Sequence, residues 1–192
     1  MVRGMADKLS LQRLAASFRI LGWAGFWTQL TLGIVCFGVL MFQNLGRAFS
    51  REKIVGLGPG LSFTTLAFLA LIYSIWHYFN YVKLGRQLGG DPQFRPSRQQ
   101  TQNQLERGIW VNCGGLALSV FGYQALAGSL TFQASMVQPG FTGLNNPMGN
   151  NAITSLEMFS VLSNTQALTG HVIGLLLGLW LLRSVQAMAR NR

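Results

Sequence analysis

Four stretches of this 192-residue chain hold no Asp, Glu, Lys or Arg and are apolar at most positions: 20–42, 60–82, 109–131 and 158–182. A helix rising about 1.5 Å per residue needs roughly 20 residues to cross the hydrocarbon of a bilayer, so each stretch is long enough to span it. The pattern predicts an all-α, polytopic membrane protein with four transmembrane helices arranged as two hairpins in one domain over 1–192. Between the hairpins lies 83–107, where Gly89-Gly90-Asp91-Pro92 is a helix breaker and basic and amide residues mark a solvated linker. Within the second hairpin lies 132–157, uncharged before Glu157 and containing FTGLNNPMGNN, whose Pro, Gly and Asn suit turns. An ordinary surface loop and an ordered or partly re-entrant segment both fit it.

Charge adds orientation to this picture. The chain carries 15 Lys and Arg against 5 Asp and Glu, a net charge of +10, with 49% hydrophobic and only 10% charged residues. In a soluble protein such a surplus would suggest a nucleic-acid partner, but here the charges fall between apolar stretches and read as topology signals. Twelve of the basic residues lie in the N-terminal tail, the 83–107 linker and the C-terminus, against three in the first loop and none in the third. Lys and Arg near a span stay on the cytoplasmic side, so both termini and the linker are expected in the cytoplasm and 132–157 outside it. Trp23, Trp27, Trp76, Tyr78 and Tyr81 gather at span ends on that same side, as interface anchors do. The apolar run after Arg19 exceeds a signal-peptide core, which predicts an uncleaved first span, and a bacterial membrane is the expected location. Membrane lipids are the expected surroundings, and the linker's basic residues suit anionic headgroups.

Small residues inside the spans predict close helix contact. Gly170, Gly174 and Gly178 repeat every four residues along the fourth span, and Gly115, Ser119 and Gly122 extend the theme in the third. They serve either packing within one chain or contact with further copies or a larger membrane complex. Polar side chains in hydrocarbon must find partners or water. Gln29, Asn112, Gln124, Asn164, Gln166 and His171 are the candidates, and they form either interhelical hydrogen bonds or a polar path. Asn164 and His171, two helical turns apart, share a face, with Gln29 or Gln124 opposite. His171 and His77 are the chain's two histidines and its weak candidates for holding a metal; a high-affinity cage normally wants three or four donors, which this chain lacks at mid-span. Cys36 and Cys113 lie in apolar segments, in neither a metal pair nor a disulfide framework, and read as packing residues. No phosphate-binding loop, hydrolase elbow, zinc-protease helix or dinucleotide fingerprint is present, so neither an enzyme nor a resident cofactor is expected.

GWAGFWTQL in the first span, SIWHYFNYVKLGRQL ending the second, GIWVNCGGLALSVFGYQALAGSL in the third and SNTQALTGHVIGLLLGLWLLRSV in the fourth carry a family resemblance. In order and spacing, over most of the chain, they resemble the cyanobacterial relatives of a chloroplast inner-envelope protein. That protein is described both as a protein-import translocon component and as a permease in chloroplasts. The resemblance implies a bacterial member in a plasma or thylakoid membrane. It also implies a role in iron transport as a small permease or channel, the alternative being a non-transporting subunit for protein translocation or membrane-complex assembly. Gln124, Asn164, Gln166 and His171 stand where the resemblance places polar span residues.

Overall fold

The structure, a computed structural model, describes residues 2–49, 58–136 and 155–190. Each charge-free stretch lies within a longer helix: α1 Val2–Phe49, α2 Gly58–Gly89, α3 Arg98–Met136 and α4 Ser155–Arg190. All four are long and apolar enough to cross a membrane, and the described residues contain no strand. A bilayer selects helices because every backbone hydrogen bond is then made inside the segment. The turn segment FTGLNNPMGNN of the 132–157 loop lies outside the described residues.

The linker between the hairpins is built from local chemistry. Beyond Gly89 and Gly90, a 3₁₀ turn at Pro92–Phe94 redirects the chain, and the Arg95 guanidinium donates twice to the Gly90 carbonyl at 3.0 and 3.1 Å. Ser97 then starts α3 with a reciprocal cap. Its hydroxyl accepts from the Gln100 amide at 3.2 Å, while the Gln100 side-chain oxygen accepts from the Ser97 amide at 3.0 Å. This capping box satisfies backbone groups that a helix start would otherwise leave exposed.

A stripe of buried positions spaced three or four residues apart runs along each helix, widened in places by a buried neighbour such as Ala15. On α1 they are Leu14, Phe18, Gly22, Gly25, Gln29, Gly33, Cys36, Leu40 and Gln43; on α3 they are Thr101, Leu105, Gly108, Asn112, Gly115, Ser119, Gly122 and Leu126. One such stripe per helix, averaging about 3.6 residues, is the seam of an antiparallel bundle. Helix α1 packs on α2 and α4, α3 packs on α2 and α4, and α2 also meets α4 across the diagonal. The large apolar side chains point the other way: Ile34, Phe37, Leu69, Ile72, Phe121, Leu176 and Leu179 are exposed. A bundle that turns many bulky apolar side chains outward suits lipid as solvent, because lipid gives apolar groups no reason to hide.

Glycines set how closely the helices approach. A methyl group added at Gly85 would meet Phe18 Cβ at 2.9 Å and the Ala15 carbonyl at 3.0 Å, and one at Gly60 would meet Leu126 at 2.7 Å. At the end carrying the linker, Leu14, Phe18, Tyr81, Leu88, Leu105, Leu181 and Val185 form an apolar plug. Toward the opposite end, Cys36, Leu40, Ala67 and Ala167 form a smaller one. A polar cluster occupies the layer between them.

A buried polar column

Four side chains from four helices meet in that layer. Gln29 of α1, Ser74 of α2, Asn112 of α3 and His171 of α4 are each 0–1% exposed. Three backbone carbonyls orient them. Gln29 Nε2 donates to Gly170 at 3.0 Å, Asn112 Nδ2 donates to Gly108 at 2.9 Å, and His171 Nε2 lies 3.0 Å from the Ala67 carbonyl. The side chains then join one another: Gln29 Nε2 donates to Asn112 Oδ1 at 3.2 Å, and the Ser74 hydroxyl lies 3.0 Å from both Gln29 Oε1 and Asn112 Oδ1. His171 Nδ1 lies 3.1 Å from Asn112 Oδ1. One helical turn away, the Tyr78 hydroxyl donates to the Gly174 carbonyl.

The small residues make room for this cluster. A methyl group at Gly115 would overlap the His171 ring, and one at Gly174 would overlap the Gln29 amide and come within 2.9 Å of Asn112 Cγ. Gly170 faces Leu71, and Gly178 faces Ile109 at 3.2 Å. All three rungs of the α4 ladder are thus taken up inside the chain. Ser119 and Gly122 serve the next layer: the Asn164 amide donates to the Ser119 carbonyl at 3.0 Å, and Gly122 leaves space for that amide.

Of the six polar residues singled out in the sequence, Gln29, Asn112 and His171 meet directly, and Asn164 lies buried on the same stripe of α4 as His171. Gln124 does not join them. It sits 12 residues beyond Asn112, about 120° around α3 at 100° per residue, and is exposed. Gln166, about 140° around α4 from His171, is half-buried off the seam. His77 lies in a different layer, 3% exposed among aromatic rings, with Tyr73 at 4.8 Å and Trp76 at 5.3 Å between ring centroids. Among the described residues, no three His, Cys, Asp or Glu side chains gather closely enough to hold a metal.

Ser74, Tyr78, Gln43 and Glu157 were not singled out from the sequence as polar core residues. All four occupy buried positions on the stripes, which is the signal that finds them once the inward face is known. Together they extend the polar cluster into a column along the bundle. From the linker end it passes Thr101, His77, the four-residue cluster, Asn164, and finally Gln43 and Glu157, all buried. Among the described residues, both ring nitrogens of His77, both amide atoms of Gln43 and Oδ1 of Asn164 have no hydrogen-bond partner. A cavity of about 230 Å³ opens at the linker end, lined by residues including Leu14, Leu88, Arg98, Thr101 and Val185 from all four helices. The Phe18, Tyr81, Leu105 and Leu181 layer lies between this cavity, with its Thr101, and the rest of the column.

Over 182 residues the chain is 30% identical to the protein named Protein TIC 21, chloroplastic, of Arabidopsis thaliana. The alignment covers 91% of this chain and 58% of that relative, so the chain spans less than two thirds of the relative's length. No solved structure matches the chain. Residues 8–186, which include all four membrane-spanning segments and the whole polar column, match one family model; this integral membrane protein therefore belongs to the family described as protein of unknown function (DUF3611).

Proposed function

We propose that this chain is a small permease or channel for metal cations, with ferrous iron as the cargo that the family resemblance suggests. The observation that carries the proposal is the column of buried polar side chains running along the bundle core, with unpartnered atoms at His77, Asn164 and Gln43. A polar atom unpaired in hydrocarbon costs several kcal/mol, by order of magnitude, so a column of them is retained where water or an ion visits. The described conformation is then a closed one, sealed by Phe18, Tyr81, Leu105 and Leu181 beneath the linker-end cavity. By the distribution of Lys and Arg, that cavity faces the cytoplasm.

The test is uptake of ferrous iron and manganese into proteoliposomes holding only this protein, with empty vesicles and matched membrane potential as controls. Saturable, iron-selective flux is expected, and His171→Ala combined with Asn164→Ala should abolish it while the protein still inserts. No flux from correctly inserted protein would overturn the reading.

The second reading is a non-transporting subunit of a translocation or assembly complex, or a homo-oligomer. Gly170, Gly174 and Gly178 are occupied within the chain, so partners would dock elsewhere. Gly114 and Gly128 favour this reading, because both leave bare outward patches on nearly the same face of α3. Co-purification with a larger complex, weakened by Gly114→Leu, would support it.

A further inference from the structure

The hydrogens available to the central cluster do not match its acceptors. The carbonyls of Gly108, Gly170 and Ala67 can only accept, so each claims one N–H, from Asn112, Gln29 and His171 respectively. These three bonds fix both amide orientations and place the proton of a neutral His171 on Nε2. The second N–H on Gln29 Nε2 goes to Asn112 Oδ1. Ser74 has one hydroxyl hydrogen but lies 3.0 Å from two acceptors, Gln29 Oε1 and Asn112 Oδ1, and can serve only one. His171 Nδ1 then presents its lone pair to Asn112 Oδ1 at 3.1 Å with no hydrogen between them. Four acceptor atoms from four helices converge, and two of the contacts among them join lone pair to lone pair. Flipping the Asn112 amide would offer a donor to His171 Nδ1 and Ser74, but only by turning its oxygen onto the Gly108 carbonyl and its nitrogen onto the Gln29 amide, so it exchanges two mismatches for two others.

We propose that this cluster is a binding site for one divalent first-row transition-metal ion, held by His171 Nδ1 and Asn112 Oδ1 with Ser74 Oγ and Gln29 Oε1 completing the set. A cation turns facing lone pairs from a repulsion into a chelate. The spacing also fits. Two ligands about 2.1 Å from a metal and at right angles to one another lie about 3.0 Å apart. The separations here are 3.1 Å for His171 to Asn112, 3.0 Å for Ser74 to Asn112 and 3.0 Å for Ser74 to Gln29. An imidazole nitrogen selects transition ions over calcium and magnesium, which favour all-oxygen sites. The ligands are all neutral, so binding is weak enough to be reversible, as a transport site requires, and the Ala67 carbonyl holds the His171 ring in the tautomer that coordinates through Nδ1. This inference rests on the permease reading for its purpose, but the site is tested by binding and not by flux.

The probe is Co²⁺, titrated into the full purified chain in nanodiscs and followed by its visible absorption. In parallel, ¹⁵N-histidine spectra of His77→Gln report on His171 as the remaining imidazole. One Co²⁺ per chain is expected, with loss of the His171 Nδ1 signal by paramagnetic broadening while Nε2 keeps its proton. Binding should disappear in His171→Ala. It should tighten about tenfold or more in Asn112→Asp, which places a negative charge on the ligand oxygen, a gain that a purely structural role for Asn112 does not produce. Absence of Co²⁺ binding by the folded chain would overturn the proposal, as would a spectrum with protons on both His171 nitrogens across the pH range of the titration. Site-specific binding without flux would retain the site and remove the permease reading; flux that persists without binding at His171 would do the reverse.

Discussion

Gly114 and Gly115 are adjacent in α3, yet the same substitution should have opposite effects at the two positions. Gly115 lies on the buried seam, and an added methyl group would overlap the His171 ring, 2.6 Å from Nδ1 and closer still to its neighbours. The ring cannot swing aside cheaply, because it is held on one side by Asn112 Oδ1 at 3.1 Å and on the other by the Ala67 carbonyl at 3.0 Å. Moving it forfeits the hydrogen bond to Ala67, worth about 0.6 and at most about 1.7 kcal/mol between membrane helices. Overpacking adds about 1–3 kcal/mol. Gly115→Ala should therefore destabilise the bundle by about 2–5 kcal/mol, shifting the folding equilibrium by roughly one and a half to three and a half orders of magnitude. Gly114 is exposed and an added methyl group meets nothing within 4 Å. There the substitution removes only the helix penalty of glycine, and Gly114→Ala should be neutral or stabilising by up to about 1 kcal/mol. Reversible unfolding in mixed micelles, followed by far-ultraviolet circular dichroism, measures both. Equal stabilities for the two variants would refute the packing argument.

Three further outcomes follow from the same geometry. Tyr78→Phe removes the hydroxyl that donates to the Gly174 carbonyl and should cost about 1 kcal/mol in the same unfolding assay, an unchanged midpoint counting against that bond. Gln124→Leu should be neutral or stabilising, because the side chain faces outward, whereas Asn112→Leu should cost several kcal/mol by leaving a buried Gln29 N–H and the Gly108 carbonyl without their side-chain partner; comparable losses for the two would contradict the assigned faces. For orientation, Gln93→Cys in a background lacking Cys36 and Cys113 should react with a membrane-impermeant thiol reagent in inverted vesicles and not in intact cells, the opposite result reversing the assignment.

The four helices were readable because charge-free runs of sufficient length have one stable solution in a bilayer. Where the helices end was less readable: α1 runs from Val2 to Phe49, well past the apolar stretch, since solvated turns add length without adding hydropathy. The inward face was partly readable. In water an apolar stripe marks it, but here apolar residues cover every face, so only the small and polar positions discriminate. That criterion picks Gly115, Gly174, Asn112 and His171, which are buried, and also Gln124, which is exposed, because an amide near a span end is tolerated outward as well. Ser74 was missed for a related reason: a serine reads as a small packing residue until its neighbours are known to be amides. Which polar residues actually touch depends on the relative heights of four helices, and no local pattern encodes those heights.

The sequence separation within the central cluster bears on how the chain is made. Gln29 belongs to the first of these four helices to emerge, but two of its partners, Asn112 and Gly170, lie 83 and 141 residues later. Until the second hairpin arrives, Ser74 is the one cluster partner that the first hairpin offers it. An amide waiting in lipid is costly, so the first hairpin is a poor end state and a good acceptor for the second. Biogenesis should therefore be cooperative across the whole chain: ribosome-bound or truncated products ending before α3 should remain with the insertion machinery, and release into the bilayer should await the helix that carries Gly170 and His171.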